Sequence, residues 1–171
     1  MDVSLRPLAV RDAALMTRLH SSQRAFMTPF DPPTPESFYT LKGQRAALGL
    51  LERERAQDRL HRFLIEADGA PAGAISVSRI TRGPFQNAGL GYWVVEELNG
   101  RGIATAAVRL VAEWGFGEAG LHRLEAATLL DNLGSQAVLR RNGFTEIGLS
   151  PRYLFIARAW RDHLLFARTA D

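Results

Sequence analysis

The spacing of apolar residues changes along the chain and divides it into elements. Apolar positions at intervals of two over residues 3–8 predict a first strand, with Val3 and Leu5 on one face. A helix is then predicted from Arg11, with Asp12 as its N-cap. The apolar face of this helix consists of Ala13, Leu15, Met16 and Leu19.

Four prolines then interrupt the helical pattern, at positions 29, 32, 33 and 35. Because proline lacks a backbone donor and restricts its neighbours, this segment is predicted to be an irregular loop. A second helix is predicted from about Ser37, since a set of apolar residues again shares one helical face. That face consists of Phe38, Leu41, Leu48 and Leu51.

The middle of the chain favours strands. Three are predicted, over residues 62–67, 72–80 and 89–95. Asp68-Gly69, between the first two, is typical of a hairpin turn. A loop over residues 81–86 contains Gly83-Pro84 and separates the second strand from the third.

The last third of the chain alternates helices and strands. A helix over residues 102–116 has an apolar stripe made of Ile103, Ala107, Leu110, Val111 and Trp114. It is followed by a strand (123–129), a helix (133–142), a strand (144–149) and a final hairpin (153–157 with 163–169). Antiparallel hairpins around one strand-helix-strand unit predict a single mixed α/β domain over residues 1–171. Its sheet should be mostly antiparallel, with about seven strands and four helices.

Composition and charge narrow the class of protein. The chain has 171 residues and no cysteine, which excludes disulfides and thiol catalysis. No apolar stretch is long enough to span a bilayer, and the first residues lack the apolar core of a signal peptide. We therefore expect a cytoplasmic protein that does not bind membranes. A net charge of +3 suits an anionic small ligand but is too small to indicate nucleic-acid binding.

The segment Asn99-Gly100-Arg101-Gly102-Ile103-Ala104 joins a predicted strand to a predicted helix. Two glycines allow a ligand to approach the backbone, and the first amides of a helix have no partner within it. Such amides at the positive end of a helix dipole favour a diphosphate. A helix start without a ligand is an open alternative. A nicotinamide-dinucleotide loop is another, although Thr105 occupies the place that favours Gly or Ala.

A second strand-to-helix junction carries polar residues. Asp131 or Asn132 is predicted to cap the helix that follows. An amide side chain at this position could also bond an extended ligand lying between two strands, with Ser135 near its reactive end.

The motifs Arg101-Gly102-Ile103-Ala104, Asn132-x-x-Ser135 and Arg141-Asn142-Gly143-Phe144 together resemble the signature of the GNAT superfamily of N-acetyltransferases. Further segments resemble the RimJ/RimL branch, which acetylates ribosomal-protein alanine. They are Pro29-Phe30-Asp31-Pro32, Gly83-Pro84-Phe85, Leu90-Gly91-Tyr92, Tyr153-Leu154-x-Ile156 and Trp160-Arg161-Asp162-His163. The resemblance covers nearly the whole chain.

The resemblance implies a fold with splayed central strands and acetyl-CoA as cosubstrate. The pantetheine arm would lie between those strands and bond backbone groups near Trp93, Val94 and Val95. The pyrophosphate would be held by the amides of the next loop and helix, namely Arg101, Gly102, Ile103, Ala104 and Thr105. Asn132 would contact the arm, and Ser135 would help the thiolate leave. Arg140-Arg141 either reaches the phosphates or forms a solvated helix face.

The sequence departs from the family at one position, because Gly89 stands where many relatives carry a glutamate base. Water or an unplaced side chain could take the proton instead, and Tyr92 is a candidate. Since N-terminal amines titrate near pH 8, a strong base is not expected to be required. For Asp162-His163 a structural role is favoured over catalysis. No Ser-His-acid pattern is present, so acyl transfer should be direct.

The predicted activity is acetylation of a protein N-terminus, such as that of a ribosomal protein, with Phe30 and Tyr92 contacting the acceptor. A small-molecule amine (an antibiotic, a polyamine or an amino acid) is an alternative acceptor, and a non-catalytic acetyl-CoA-binding module is a third possibility. The four histidines lack metal-ligand spacing, so no metal is expected. Either a monomer or a homodimer is compatible with the sequence.

Overall fold

The computed structural model describes residues 1–170 and contains one seven-stranded sheet flanked by helices. The strands are β1 (Val3–Pro7), β2 (Leu60–Ala67), β3 (Ala70–Thr81), β4 (Asn87–Val94), β5 (Arg123–Leu129), β6 (Thr145–Ile156) and β7 (Ala159–Thr169). The α-helices are α1 (Ala13–Ser22), α2 (Arg24–Met27), α3 (Leu41–Ala56), α4 (Ile103–Phe116) and α5 (Leu133–Arg141). The mixed α/β fold predicted from the sequence is confirmed, and the single turn α2 is added to the four predicted helices.

The strand order is β1-β2-β3-β4-β5-β7-β6, and every neighbouring pair is antiparallel except β4 and β5. The two parallel strands pair only over residues 87–89 and 123–125. Beyond this point β4 continues to Val94 and β5 to Leu129 without pairing to each other. We call the gap between these unpaired halves the cleft.

Side chains on the two faces of the sheet enter different apolar cores. Leu90 and Val94 of β4 join the larger core with Val108 and Val111 of α4. Trp93, on the opposite face of β4, packs against the smaller core formed with α1 and α3. Because strand residues alternate between faces, Gly89 and Gly91 lie on the Trp93 face.

Two predicted boundaries differ from the structure. The second helix does not start at Ser37, because residues Glu36–Tyr39 form a 3-10 turn that precedes α3. The Thr40 hydroxyl caps α3 by accepting from the Gly43 amide at 3.0 Å. The predicted strands 144–149 and 153–157 are one strand, β6. Its pairing with β7 shifts register between Ser150 and Leu154, which explains the break in the sequence pattern.

Candidate active site

The cleft opens into a cavity of about 580 Å³ that runs from the start of α4 to the loop before α3. One end is lined by the segment from Asn99 to Thr105 except Arg101, and the middle by the unpaired halves of β4 and β5 and the start of α5. The other end, which we call the acceptor half, is lined by Phe26, Met27, Phe30, Asp31, Pro32, Leu154 and Ile156.

At the first end, backbone donors point out of α4 without partners. The first of its amides to bond in the helical pattern is that of Ala106, which donates to the Gly102 carbonyl at 3.0 Å. Within residues 1–170 the amides of Ile103, Ala104 and Thr105 have no such acceptor, as expected for a helix N-terminus. The sequence-based prediction of free donors at this position agrees with the geometry.

Gly100 and Gly102 shape the approach to these donors. Both have positive φ, +76° and +82°, and no atom lies within 4 Å of where a Cβ would stand. The left-handed conformation of Gly102 turns the chain directly into α4, and the missing side chain keeps the space above the helix end open. Arg101, by contrast, is exposed and does not line the cavity.

The two arginines near the end of α5 differ in their surroundings. Arg141 lines the cavity, whereas the Arg140 guanidinium donates to the Glu146 carboxylate at 2.8 Å. The adjacent Asn142 side chain donates to the Thr105 carbonyl at 3.2 Å and thereby ties the end of α5 to the first turn of α4.

The backbone at the end of β4 exposes fewer groups to the cleft than the family resemblance implies. The Val95 amide donates to the Ala72 carbonyl at 2.9 Å, and the Val95 carbonyl accepts from Leu98 at 3.0 Å. Val95 therefore has no free backbone group and does not line the cavity. The Trp93 carbonyl also faces β3, since a Cβ at Gly73 would lie 2.1 Å from it. By strand alternation, the backbone groups of Tyr92 and Val94 face the cleft instead.

Asn132 and Ser135 stand where α5 begins, and both line the cavity. The Asn132 side-chain oxygen accepts from the Ser135 amide at 3.1 Å, so Asn132 caps α5 as the sequence predicted. This bond uses the oxygen of the amide side chain and leaves its nitrogen as a donor.

A hydrogen bond connects the middle of the cleft to α5. The Tyr92 hydroxyl lies 2.8 Å from Ser135 Oγ and 3.2 Å from the Ser135 carbonyl. Burial raises the pKa of Tyr92 to about 12, and the hydrogen bond with Ser135 only partly offsets this. Tyr92 is therefore protonated at neutral pH, which suits a hydrogen-bond donor and not a base.

Thr128 is a polar residue of the cleft that sequence reasoning missed. It is 4% exposed and lines the cavity, yet its hydroxyl has no hydrogen-bond partner in the described structure. A buried hydroxyl without a partner is unfavourable, so this position favours a polar ligand group or a water molecule. No signal in the sequence distinguishes it from other threonines in strands.

Asp31 is the second missed residue, and it is the one carboxylate among the described residues that line the cavity. Burial raises the pKa of this carboxyl group, and the positive charge of Arg62 opposes the shift. No ion pair joins the two side chains within residues 1–170, and Asp31 lines the acceptor half. The backbone holds the residue in place, because the Ala157 amide donates to the Asp31 carbonyl at 3.1 Å.

The aromatic residues Phe26, Phe30 and Trp93 belong to the cavity lining. The Phe30 ring lies 6.0 Å from that of Phe26, and the ring of His20 lies between those of Phe38 and Trp93 at 4.7 and 5.2 Å. Burial, together with the charge of Arg62, lowers the pKa of His20 to about 4. His20 is therefore neutral at physiological pH and acts as an aromatic packing group.

The position at which the sequence lacks a glutamate is filled by a cation. A Cβ at Gly89 would lie 2.5 Å from Nη2 of Arg79, so that guanidinium occupies the space of a side chain. Asp162, the neighbour of His163 for which the sequence favours a structural role, accepts from the Arg152 amide at 2.8 Å. His163 itself is 3% exposed and lines the cavity.

No cluster of three metal-ligating side chains occurs within positions 1–170. No helix over these positions is both long and apolar enough to cross a membrane.

Known proteins resemble this chain over nearly its whole length. A family profile described as an acetyltransferase (GNAT) domain matches residues 2–145. The probable N-acetyltransferase YjcK of Bacillus subtilis is 36% identical, over 96% of this chain and 92% of that protein. The ribosomal protein uS5-alanine N-acetyltransferase of Escherichia coli is 30% identical, over 93% and 83%. The solved structure of Mycobacterium smegmatis RimJ in complex with CoA-disulfide is 37% identical, with a TM-score of 0.94, over 98% of this chain and 82% of that one.

Proposed function

The chain belongs to the GNAT acetyltransferase family, and we propose that it acetylates the N-terminal α-amino group of a protein, such as a ribosomal protein. It is an acetyl-CoA-dependent N-acetyltransferase with RimJ/RimL-type relatives. The acceptor is the proposed part. The observation that carries it is the acceptor half of the cavity, where the lining residues from Phe26 to Pro32, with Leu154 and Ile156, offer one carboxylate, that of Asp31, among apolar side chains.

The cavity fits acetyl-CoA as cosubstrate, which supplies the thioester when bound. We assign the diphosphate to the free amides of Ile103, Ala104 and Thr105, with Gly102 giving access and the Arg101 charge at the rim. The peptide-like arm would bond the cleft-facing backbone of Tyr92 and Val94. Asn132 Nδ2 and the partnerless Thr128 hydroxyl provide further polar contacts, and the Trp93 ring contacts the cavity from the other face.

An N-terminal peptide matches the acceptor half better than a polyamine does. One carboxylate can bind one ammonium group, and Asp31 supplies one carboxylate in the cavity lining. The surrounding Phe30, Leu154 and Ile156 suit a small apolar side chain such as that of an N-terminal alanine. A polyamine carries several ammonium groups and would require several carboxylates, which the described lining does not offer.

The residues of the cleft suit two steps, attack by the amine and protonation of the departing sulfur. The neutral amine attacks the thioester carbonyl directly, since the chain has no cysteine and the one serine among the described residues that line the cavity, Ser135, pairs with the protonated Tyr92 and not with a base. As the carbon-sulfur bond breaks, the departing sulfur needs a proton donor. The Ser135 hydroxyl, hydrogen-bonded to Tyr92, is the group that we assign to this role.

A panel of amines tests the acceptor assignment. Peptides that begin with alanine or serine, spermidine, and free amino acids are each incubated with the protein and acetyl-CoA, and free thiol and product mass are measured. We expect acetyl transfer to the first residue of the peptides at a kcat/KM at least tenfold above that for spermidine. Preferential turnover of spermidine would overturn the protein acceptor. Binding of acetyl-CoA without turnover of any amine would indicate a non-catalytic module.

A further inference from the structure

We propose that His163 is the base that accepts the proton of the acceptor amine, an inference that rests on the proposed function. The residue is 3% exposed and lines the cavity. It lies on the rigid strand β7, directly paired with Leu129 at the end of β5. A base for this reaction has to be fixed at the cavity wall, and His163 meets that condition.

The hydrogen bond of His163 sets its tautomer. Nδ1 lies 3.0 Å from the Arg161 carbonyl, which can only accept, so Nδ1 carries the proton in the neutral ring. Nε2 is then the unprotonated nitrogen. No group within residues 1–170 donates to Nε2, so its lone pair is available to a substrate proton. A histidine whose other nitrogen is fixed by a carbonyl is a common arrangement for a base.

The sheet places His163 on the acceptor side. Leu129 and its partner His163 share a face of the sheet, which by alternation from Leu124 and Ala126 is the face opposite α4. Gly89 and Trp93 of β4 lie on this same face. The base is thus on the side from which the amine enters, while the start of α4 is on the other.

The other titratable groups around the cavity fit the role less well. The pKa of Tyr92 is raised to about 12, so it is a donor at neutral pH. Arg141 is a cation, and Asp31, in the loop across the acceptor half, is an anion suited to hold the ammonium form. The Tyr153 ring lies 5.6 Å from the imidazole and orients it without hydrogen bonding to Nε2.

The proton balance is complete without another reactant. Nε2 first takes one proton from the ammonium group, which leaves the neutral amine that attacks. The nitrogen then forms its bond to the acetyl carbon as the bond to sulfur breaks, and its remaining surplus proton is released to water. The sulfur takes a proton from the Ser135–Tyr92 pair. His163 then releases its proton to solvent, and the hydroxyl pair regains one, so the products are an amide and a thiol.

His163→Asn tests the assignment, because the asparagine Nδ2 can still donate to the Arg161 carbonyl while the base is removed. We expect kcat with an N-terminal alanine peptide to fall about 10²-fold near neutral pH. The loss should shrink above pH 9, where the amine is already neutral. Acetyl-CoA affinity and melting temperature should change little. His163→Gln, which places an amide near Nε2, should lose as much activity and covers the case in which the first variant does not fold.

His61→Asn is the matched control. His61 also lies on a strand, packs on an aromatic ring (Trp114) and forms a side-chain hydrogen bond, but it does not line the cavity. Its kcat should stay within twofold of the unmodified protein. A peptide-active protein whose His163→Asn variant keeps its activity, or loses it equally at every pH, overturns the base assignment and leaves the proposed function standing.

The choice of amine that the unmodified protein acetylates distinguishes failure of the acceptor proposal from failure of the His163 proposal. If the unmodified protein acetylates only a small amine, the acceptor proposal fails and the same pH comparison on that amine decides the role of His163. If it acetylates no amine at all, both proposals fail.

Discussion

The Tyr92 hydroxyl lies 2.8 Å from the Ser135 hydroxyl, although 43 positions separate the two residues in the chain. One belongs to the unpaired half of β4 and the other to the first turn of α5, so their contact closes the middle of the cleft. The pair is the proposed proton donor to the departing sulfur. If the two hydroxyls act as one unit, the loss of kcat should be similar whether one or both are removed.

Removing either hydroxyl should cost about the same as removing both. Tyr92→Phe and Ser135→Ala are each expected to lower kcat by 10-fold to about 10²-fold, and the double variant should be no slower than the slower single one. Steady-state thiol release measures all three. Losses that multiply would mean that the two groups act independently.

Gly102 should be required for the cosubstrate because of its conformation. Its φ of +82° is unfavourable for alanine by about 1–2 kcal/mol, and the new methyl group would stand at the approach to α4. We expect Gly102→Ala to raise the KM for acetyl-CoA about 10-fold. Gly69→Ala is the matched control, since Gly69 has a φ of +77° and equally open surroundings in the β2–β3 turn, away from the cavity. An equal KM for acetyl-CoA in the Gly102→Ala and Gly69→Ala variants would disprove the role of Gly102 in binding the cosubstrate.

The Asp31 carboxylate should affect the acceptor and not the cosubstrate. Asp31→Asn removes the anion proposed to hold the ammonium group, and we expect the KM for an N-terminal peptide to rise about 10-fold at neutral pH. The KM for acetyl-CoA should be unchanged. Glu36→Gln, on an exposed carboxylate paired with Arg24, controls for net charge. A rise in both KM values would point to a general distortion of the site.

His20 should make folding stability depend on pH. Its pKa falls from 6.5 to about 4 on folding, so between these values the unfolded chain binds more protons than the folded one. This contribution to stability is complete above pH 6.5 and is lost as the pH falls toward 4. His20→Phe keeps the ring contacts and should reduce the loss of unfolding free energy over this window by about 1–3 kcal/mol, measured by urea denaturation. An identical pH dependence in the variant would show that His20 titrates normally.

Local patterns in the sequence predicted much of the fold and one end of the site. The stripe from Ile103 to Trp114 and the glycines before it identified α4 and its free donors, because both are properties of consecutive residues. The capping role of Asn132 was likewise local. Thr40 carried a capping signal of the same kind, but the preceding apolar Phe38 extended the predicted helix across it.

What the sequence could not give depends on partners distant in the chain. The Val95 amide donates to the Ala72 carbonyl on β3, and this hydrogen bond follows from the register of the sheet. The burial of Asp31 near Arg62 and of His163 at the cavity wall arises only when the proline loop, β2 and the last hairpin meet. The sequence neighbours of His163, taken alone, therefore favour a structural role for it.

The central claim is that the first amides of α4 hold the diphosphate of acetyl-CoA at the end of the cleft. Backbone amide chemical shifts measured by NMR during titration with coenzyme A test it directly. We expect the resonances of Gly102, Ile103, Ala104 and Thr105 to shift most, while that of Gly69 stays in place. Saturable binding that leaves these four resonances unmoved would contradict it.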